Sequence, residues 1–113
     1  MKIAWSEASS LLSGWEQSGR PIRAFFASDI FTVAMIAFPR VVADPELTLV
    51  LTYSGSASFA FFDLRDCHFE YGDSREIDDA GIAQKFSENY VGVLNISHPQ
   101  TGVRLSVYEI ASD

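Results

Sequence analysis

The feature that most constrains this chain is a change in its apolar period at Gly19–Pro21. Before it, Trp5, Ala8, Leu12 and Trp15 recur at spacings of three, four and three, which places all four on one stripe of a helix. Glu7, Ser9, Ser10, Ser13, Glu16 and Gln17 fill the opposite side. Gly19 accepts a left-handed cap and Pro21 cannot continue a helix, so the helix ends there. A stripe with two indoles requires a large apolar surface to lie against.

After Pro21 the period is two. Ile22, Ala24 and Phe26 alternate with Arg23, Phe25 and Ala27, and Ser28-Asp29 reads as a tight turn. Residues 31–38 are apolar on both faces, which predicts a central strand covered on both sides. Asp44-Pro45 marks the next turn, and Leu47, Leu49, Leu51 and Tyr53 share a face beyond it. Ser54-Gly55-Ser56 is a further turn, followed by short strands at 58–62 and 67–71. In the latter, Cys67, Phe69 and Tyr71 point one way and His68 and Glu70 the other. Asp78 or Asp79 can cap a short second helix running to about Glu88, with Ile82 and Phe86 on its buried side. Residues 90–97 and 103–110 make the last hairpin, the second of its strands half-solvated, with Arg104, Ser106 and Tyr108 facing away from Val103, Leu105 and Val107.

The expectation is an α+β fold, 1–113 as a single domain: about seven antiparallel strands in the order α-β-β-β-β-β-α-β-β, twisted strongly or curled into a half-barrel. The links between strands are too short for parallel crossovers. With 113 residues, 48% of them apolar, the chain can bury a core without a disulfide or metal staple. Its single cysteine, Cys67, cannot form an internal disulfide. The N-terminus lacks an apolar leader core, and the apolar, charge-free stretch 30–39 is half of a membrane span, so a cytoplasmic location is expected.

Charge narrows the partners. The net charge is −7, and residues 58–113 hold four basic against ten acidic side chains. Seven of those acids fall between Asp63 and Asp79, a field that disfavours nucleic acid and anionic membranes and would draw a basic protein. Part of the excess has a structural use, since Glu76, Asp78 and Asp79 suit a helix N-terminus.

No motif fixes a reaction. Asp63, Asp66, His68 and Glu70 offer ligand and acid–base chemistry, with His68 and Glu70 on one strand face, yet their spacing matches no metal site. Cys67 and His68 cannot form a dyad on a strand because neighbours point to opposite faces. The turn at Ser54-Gly55-Ser56 lacks the order of a nucleophile elbow, no phosphate-binding glycine pattern occurs, and Asn95-Ile96-Ser97 is a sequon without a secretory context. Neither a cofactor nor a metal is expected.

Two functions fit. One is a small acidic, non-enzymatic protein-interaction module, with Asp63, Asp66, His68, Glu70, Asp73 and Glu76 as its contact residues and self-association through a sheet edge as an option. The other is a ligand-binding or catalytic pocket inside the curled sheet, lined by Trp15, Phe25, Phe38, Phe59, Phe61 and Tyr71 with Glu70 and His68 at its rim. What separates them is which side of the sheet is left uncovered, and whether polar groups converge there.

Overall fold

The structure, a computed structural model, describes residues 1–28, 32–43, 47–52, 58–72 and 89–111, and of Thr32, Ser58 and Phe59 the backbone alone. A helix, α1 (Trp5–Ser18), follows a two-residue strand, β1 (Lys2–Ile3). Seven more strands come after it: β2 (Ile22–Ala27), β3 (Thr32–Val42), β4 (Thr48–Thr52), β5 (Ser58–Asp63), β6 (His68–Gly72), β7 (Tyr90–Ser97) and β8 (Arg104–Ile110). All neighbours are antiparallel, and the order across the sheet is β1-β6-β7-β8-β2-β3-β4-β5. The class is α+β, as expected. The eighth strand is β1, which two residues of sequence could not announce, and the second helix expected near 78–88 lies outside the described residues. No helix among the described residues is long and apolar enough to cross a membrane.

The helix forms where the period placed it. Ala4 caps its start with no side-chain hydrogen bond, and Glu7 sits in the first turn, where a carboxylate complements the helix dipole. Gly19 closes it in the left-handed region at φ 69°, its N–H donating to the Glu16 carbonyl. Ala8, Leu12 and Trp15 are buried, and Trp5 packs against Phe69 with ring centroids 5.5 Å apart.

Short connections force the sheet to curl. β5 and β6 stand six strand positions apart, about 29 Å in a flat sheet. Only Leu64–Cys67 joins them, and Asp63 to His68 spans at most about 18 Å of extended chain. The two ends of the sheet must therefore bend toward one another, although the order still ends on β1 and β5 and the sheet stays open. α1 fills the hollow against β3 and β6. The inner face supplies Ile22, Ala24, Ala37, Leu49, Leu51, Phe62, Phe69, Leu94, Ile96, Leu105 and Val107 to one core with the helix.

β3 is the corner of this curl. Its first half pairs with β2 as far as Ala37, and from Phe38 it pairs with β4. Pro39 is tolerated inside the strand because β2 has ended there, leaving the side without an N–H unpaired. The Glu16 carboxylate reaches from α1 to accept the Val41 N–H at 3.2 Å.

Two expectations about burial are corrected. The described part of the stretch 31–38 is not covered on both sides: Val33 is 40% exposed and Ile36 39%. Conversely Tyr108, expected to face solvent, is buried, edge-on to Phe25 at 5.3 Å and against Tyr90 at 4.9 Å. With Val93 these rings form a second, smaller core on the outer side.

Candidate functional site

The alternation in β6 puts Phe69 and Tyr71 inward and leaves His68 and Glu70 exposed on the outer face. Strand order decides what stands beside them. Register places Lys2, Glu70, Asn95 and Ser106 in one row across β1, β6, β7 and β8. The next row holds His68, Ser97 and Arg104. Asn95 is a buried polar side chain, and the Ser106 hydroxyl donates to its carbonyl oxygen. That bond satisfies the amide's acceptor, which would otherwise be costly to bury.

These rows enclose a depression of about 210 Å³ lined by Lys2, His68, Glu70, Asn95, Ser97 and Arg104. A second hollow of about 380 Å³ continues past Ser97 and Arg104 to Ser28, His98 and Gly102. His98 opens the β7–β8 turn, where its N–H donates to the Val103 carbonyl and its own carbonyl accepts from Gly102. Gly102 takes φ 74°, the conformation that lets the turn close. The His98 Nδ1 is buried and has no hydrogen-bond partner among the described residues.

The residues singled out from the sequence separate in space. Asp63 ends β5 and is taken up locally: Arg65 donates to it from its backbone N–H at 2.9 Å, its Nε at 3.0 Å and its Nη2 at 2.7 Å. Those side-chain bonds, then the backbone bond, hold the Asp63 carboxyl down at about 2. Asp66 is exposed in the β5–β6 link at φ 59°, a left-handed position that aspartate tolerates. His68 and Glu70 share the outer face as described, while Asp73 and Glu76 lie outside the described residues.

Cys67 belongs with the core. It packs against the inner cluster, and its Sγ donates to the Asp63 carbonyl at 3.3 Å. Burial pushes the thiol up, and the charges of Asp63 and Asp66 add to that, the reverse of what a nucleophile requires. His68 points to the other face, so the pair forms no dyad. Among the described residues no group of three or more metal-ligating side chains converges.

The aromatics proposed to line an inner pocket do not face one space. Trp15 and Tyr71 point inward, whereas Phe25 belongs to the outer cluster and Phe61, on the outer face of β5, is 69% exposed. Phe38 is in register with Thr52 on that same outer side, and the Phe59 side chain is not among those described. Glu70 and His68 stand on the opposite side of the sheet from the hollow, because the rim assigned to them is really the outer end of β6.

The sequence assigned none of Lys2, Asn95, Ser97, Arg104 and Ser106 to a site: Asn95 and Ser97 stood only as a sequon, and Arg104 and Ser106 only as the polar face of the last strand. Asn95 and Ser97 carry a signal, being polar positions two apart in an otherwise apolar strand. Lys2 carries none, since its place depends on pairing with β6, far along the chain.

The Asp63–Arg65 pair gives a first prediction. Arg65→Gln returns the Asp63 carboxyl toward the ordinary carboxylate range, so its titration, followed by carbon NMR, moves up from about 2 toward 3.8. Since the folded value lies below the unfolded one, any stability the pair gives is present above the ordinary carboxylate range and lost as pH falls through about 2. An Asp63 signal that titrates identically in both proteins would remove this assignment.

No protein-family model, curated protein or solved structure matches this chain.

Proposed function

We propose that this chain is a non-enzymatic protein-interaction module that contacts its partner through the outer face of β1, β6, β7 and β8. One observation carries this reading: polar and charged side chains from four strands converge on that face, while α1 fills the hollow on the other. Interior space is what a small-ligand pocket would need. Ala8, Leu12 and Trp15 occupy it.

The acidic character expected of residues 63–79 is tempered at this face. Asp63 is engaged by Arg65, and Glu70 lines the same depression as Lys2 and Arg104. A contact of both signs is selective, because a wrong partner leaves charges unpaired.

The test is a pull-down with the immobilised chain at low and high salt, beside a His68→Glu, Glu70→Lys variant. The expected result is a defined protein partner held by the wild type at low salt, weakened at high salt as rim charges are screened, and lost from the variant. Both positions are exposed, so circular dichroism and melting temperature should not change. The same partner on both proteins, or none on either, would overturn the reading.

A further inference from the structure

We infer that the free edge of β5 is a contact between two copies of this chain, paired antiparallel about a twofold axis at Phe61. This edge lies at the other end of the sheet order from β1, apart from the partner proposed for the face of β1, β6, β7 and β8. The two ends of the sheet differ. β1 is two residues long and carries Lys2, and a short edge with a lysine is how sheets usually resist unwanted pairing. β5 is six residues long, has no charged residue or proline before Asp63, and holds Phe61 69% exposed on its outer face. Its register shift falls opposite Leu51 and Thr52, which leaves Ala60–Asp63 as regular strand.

The phase of the hydrogen bonds fixes what this edge offers. The Leu64 N–H donates to the Leu47 carbonyl, so Leu49–Phe62 and Leu51–Ala60 are bonded pairs and Val50–Phe61 is not. Pro39 has no N–H and stands opposite Leu51 on the β3 side, a pair that this phase leaves unbonded. The N–H and C=O of Phe61 therefore point away from β4, and neither has a hydrogen-bond partner among the described residues.

A second strand satisfies both groups at once, and a second β5 does so reciprocally. With Phe61 opposite Phe61, each N–H meets the other copy's carbonyl and the two rings lie side by side on the outer face. Charge selects this register. The Asp63 carboxylates, each held by its own Arg65, then stand about 14 Å apart along the strands. One step toward Asp63 would bring them to about 7–8 Å, inside the screening length of roughly 8 Å at physiological salt. A charged foreign strand would find nothing to answer it, since Asp63 is the one charge on β5 and Arg65 already pairs with it. The contact is isologous, so it closes at two copies. It consists of one strand and one ring from each copy, within the class below about 1,200 Å² that associates reversibly.

Sedimentation equilibrium across protein concentrations should show a reversible monomer–dimer equilibrium. It should not weaken as salt rises, because two copies carrying −7 repel less when screened. Phe61→Lys sets two ammonium groups side by side at the axis and should weaken dimerisation at least about tenfold, while Phe61→Tyr should hold it within about twofold. The ring is exposed in the single copy, so both variants should keep the wild-type melting temperature when dilute. Amide exchange followed by NMR should slow about fivefold or more at Phe61 between dilute and concentrated samples, and stay unchanged at Lys2 on the other edge.

A monomer at every concentration would overturn the inference. A dimer indifferent to Phe61→Lys would do the same by placing the contact elsewhere. Growth into longer assemblies would mean that β5 meets a different surface instead of itself. None of these results bears on the partner of the opposite face, which the pull-down reads separately.

Discussion

Trp15→Ala is expected to lower the free energy of unfolding by about 4 kcal/mol, measured by urea denaturation, since removing a large buried aromatic costs roughly 3–5 kcal/mol. The indole is 8% exposed and lies on the helix stripe that fills the curled sheet. Its Nε1 donates to Glu109 Oε1 at 3.0 Å, which ties the last turns of α1 to the end of β8. Losing that bond adds about 1 kcal/mol, because a partly buried carboxylate gives up a donor. A domain of this size typically holds 5–15 kcal/mol in total, so the substitution removes about a quarter or more of it. Trp15→Phe keeps most of the ring and should cost about half as much. Phe61→Ala, at an exposed aromatic of similar size, should stay within about 0.5 kcal/mol. If Trp15→Ala costs no more than Phe61→Ala, α1 is not what fills the sheet, and the interior becomes available for a ligand.

The contrast between those two aromatics marks how far sequence reasoning reached. Trp15 was legible as core because a helix reveals its buried face through the 3.6-residue period within a single local segment. Phe61 was grouped with it because alternation in a strand shows that residues share a face, without showing which face is inside. That decision depends on strand order, and strand order is set by long-range pairing. β5 and β6 are neighbours in sequence, yet the sheet puts five strands between them. The same limit hid the site: the shared face of His68 and Glu70 followed from a period of two, but their neighbours Lys2, Asn95, Ser97 and Arg104 come from strands joined only by the sheet. Pro39 shows the opposite case. A proline within a strand signals an edge, and β3 obeys that rule over half its length, where β2 has withdrawn.

Gly92→Ala should cost about 1–3 kcal/mol, the range for forcing a methyl into a packed site. Gly92 has an ordinary strand conformation, so the reason for glycine there is space. A Cβ would fall 2.5 Å from the Tyr71 Oη and 2.9 Å from its Cζ, with the Gly72 carbonyl at 3.1 Å on the far side. The ring can swing away, but the β6 backbone cannot follow without breaking its pairing with β7. Relief should therefore come through Tyr71. In a Tyr71→Ala background the same substitution should cost at least about 1 kcal/mol less, the coupling expected of side chains in direct contact. A spectroscopic change should accompany it. Burial pushes the Tyr71 phenol above its ordinary ionisation range, and the Glu109 carboxylate pushes it further. A ring displaced toward solvent ionises at lower pH, so the ultraviolet titration of Gly92→Ala should show one of the four tyrosines moving down. Additive costs with an unmoved titration would mean that Gly92 is required by the β6 backbone, not by the Tyr71 ring. Because Gly92 and Tyr71 lie at the opposite end of β6 and β7 from Ser97 and Arg104, partner binding through the proposed outer face should survive the substitution as long as the sheet remains folded.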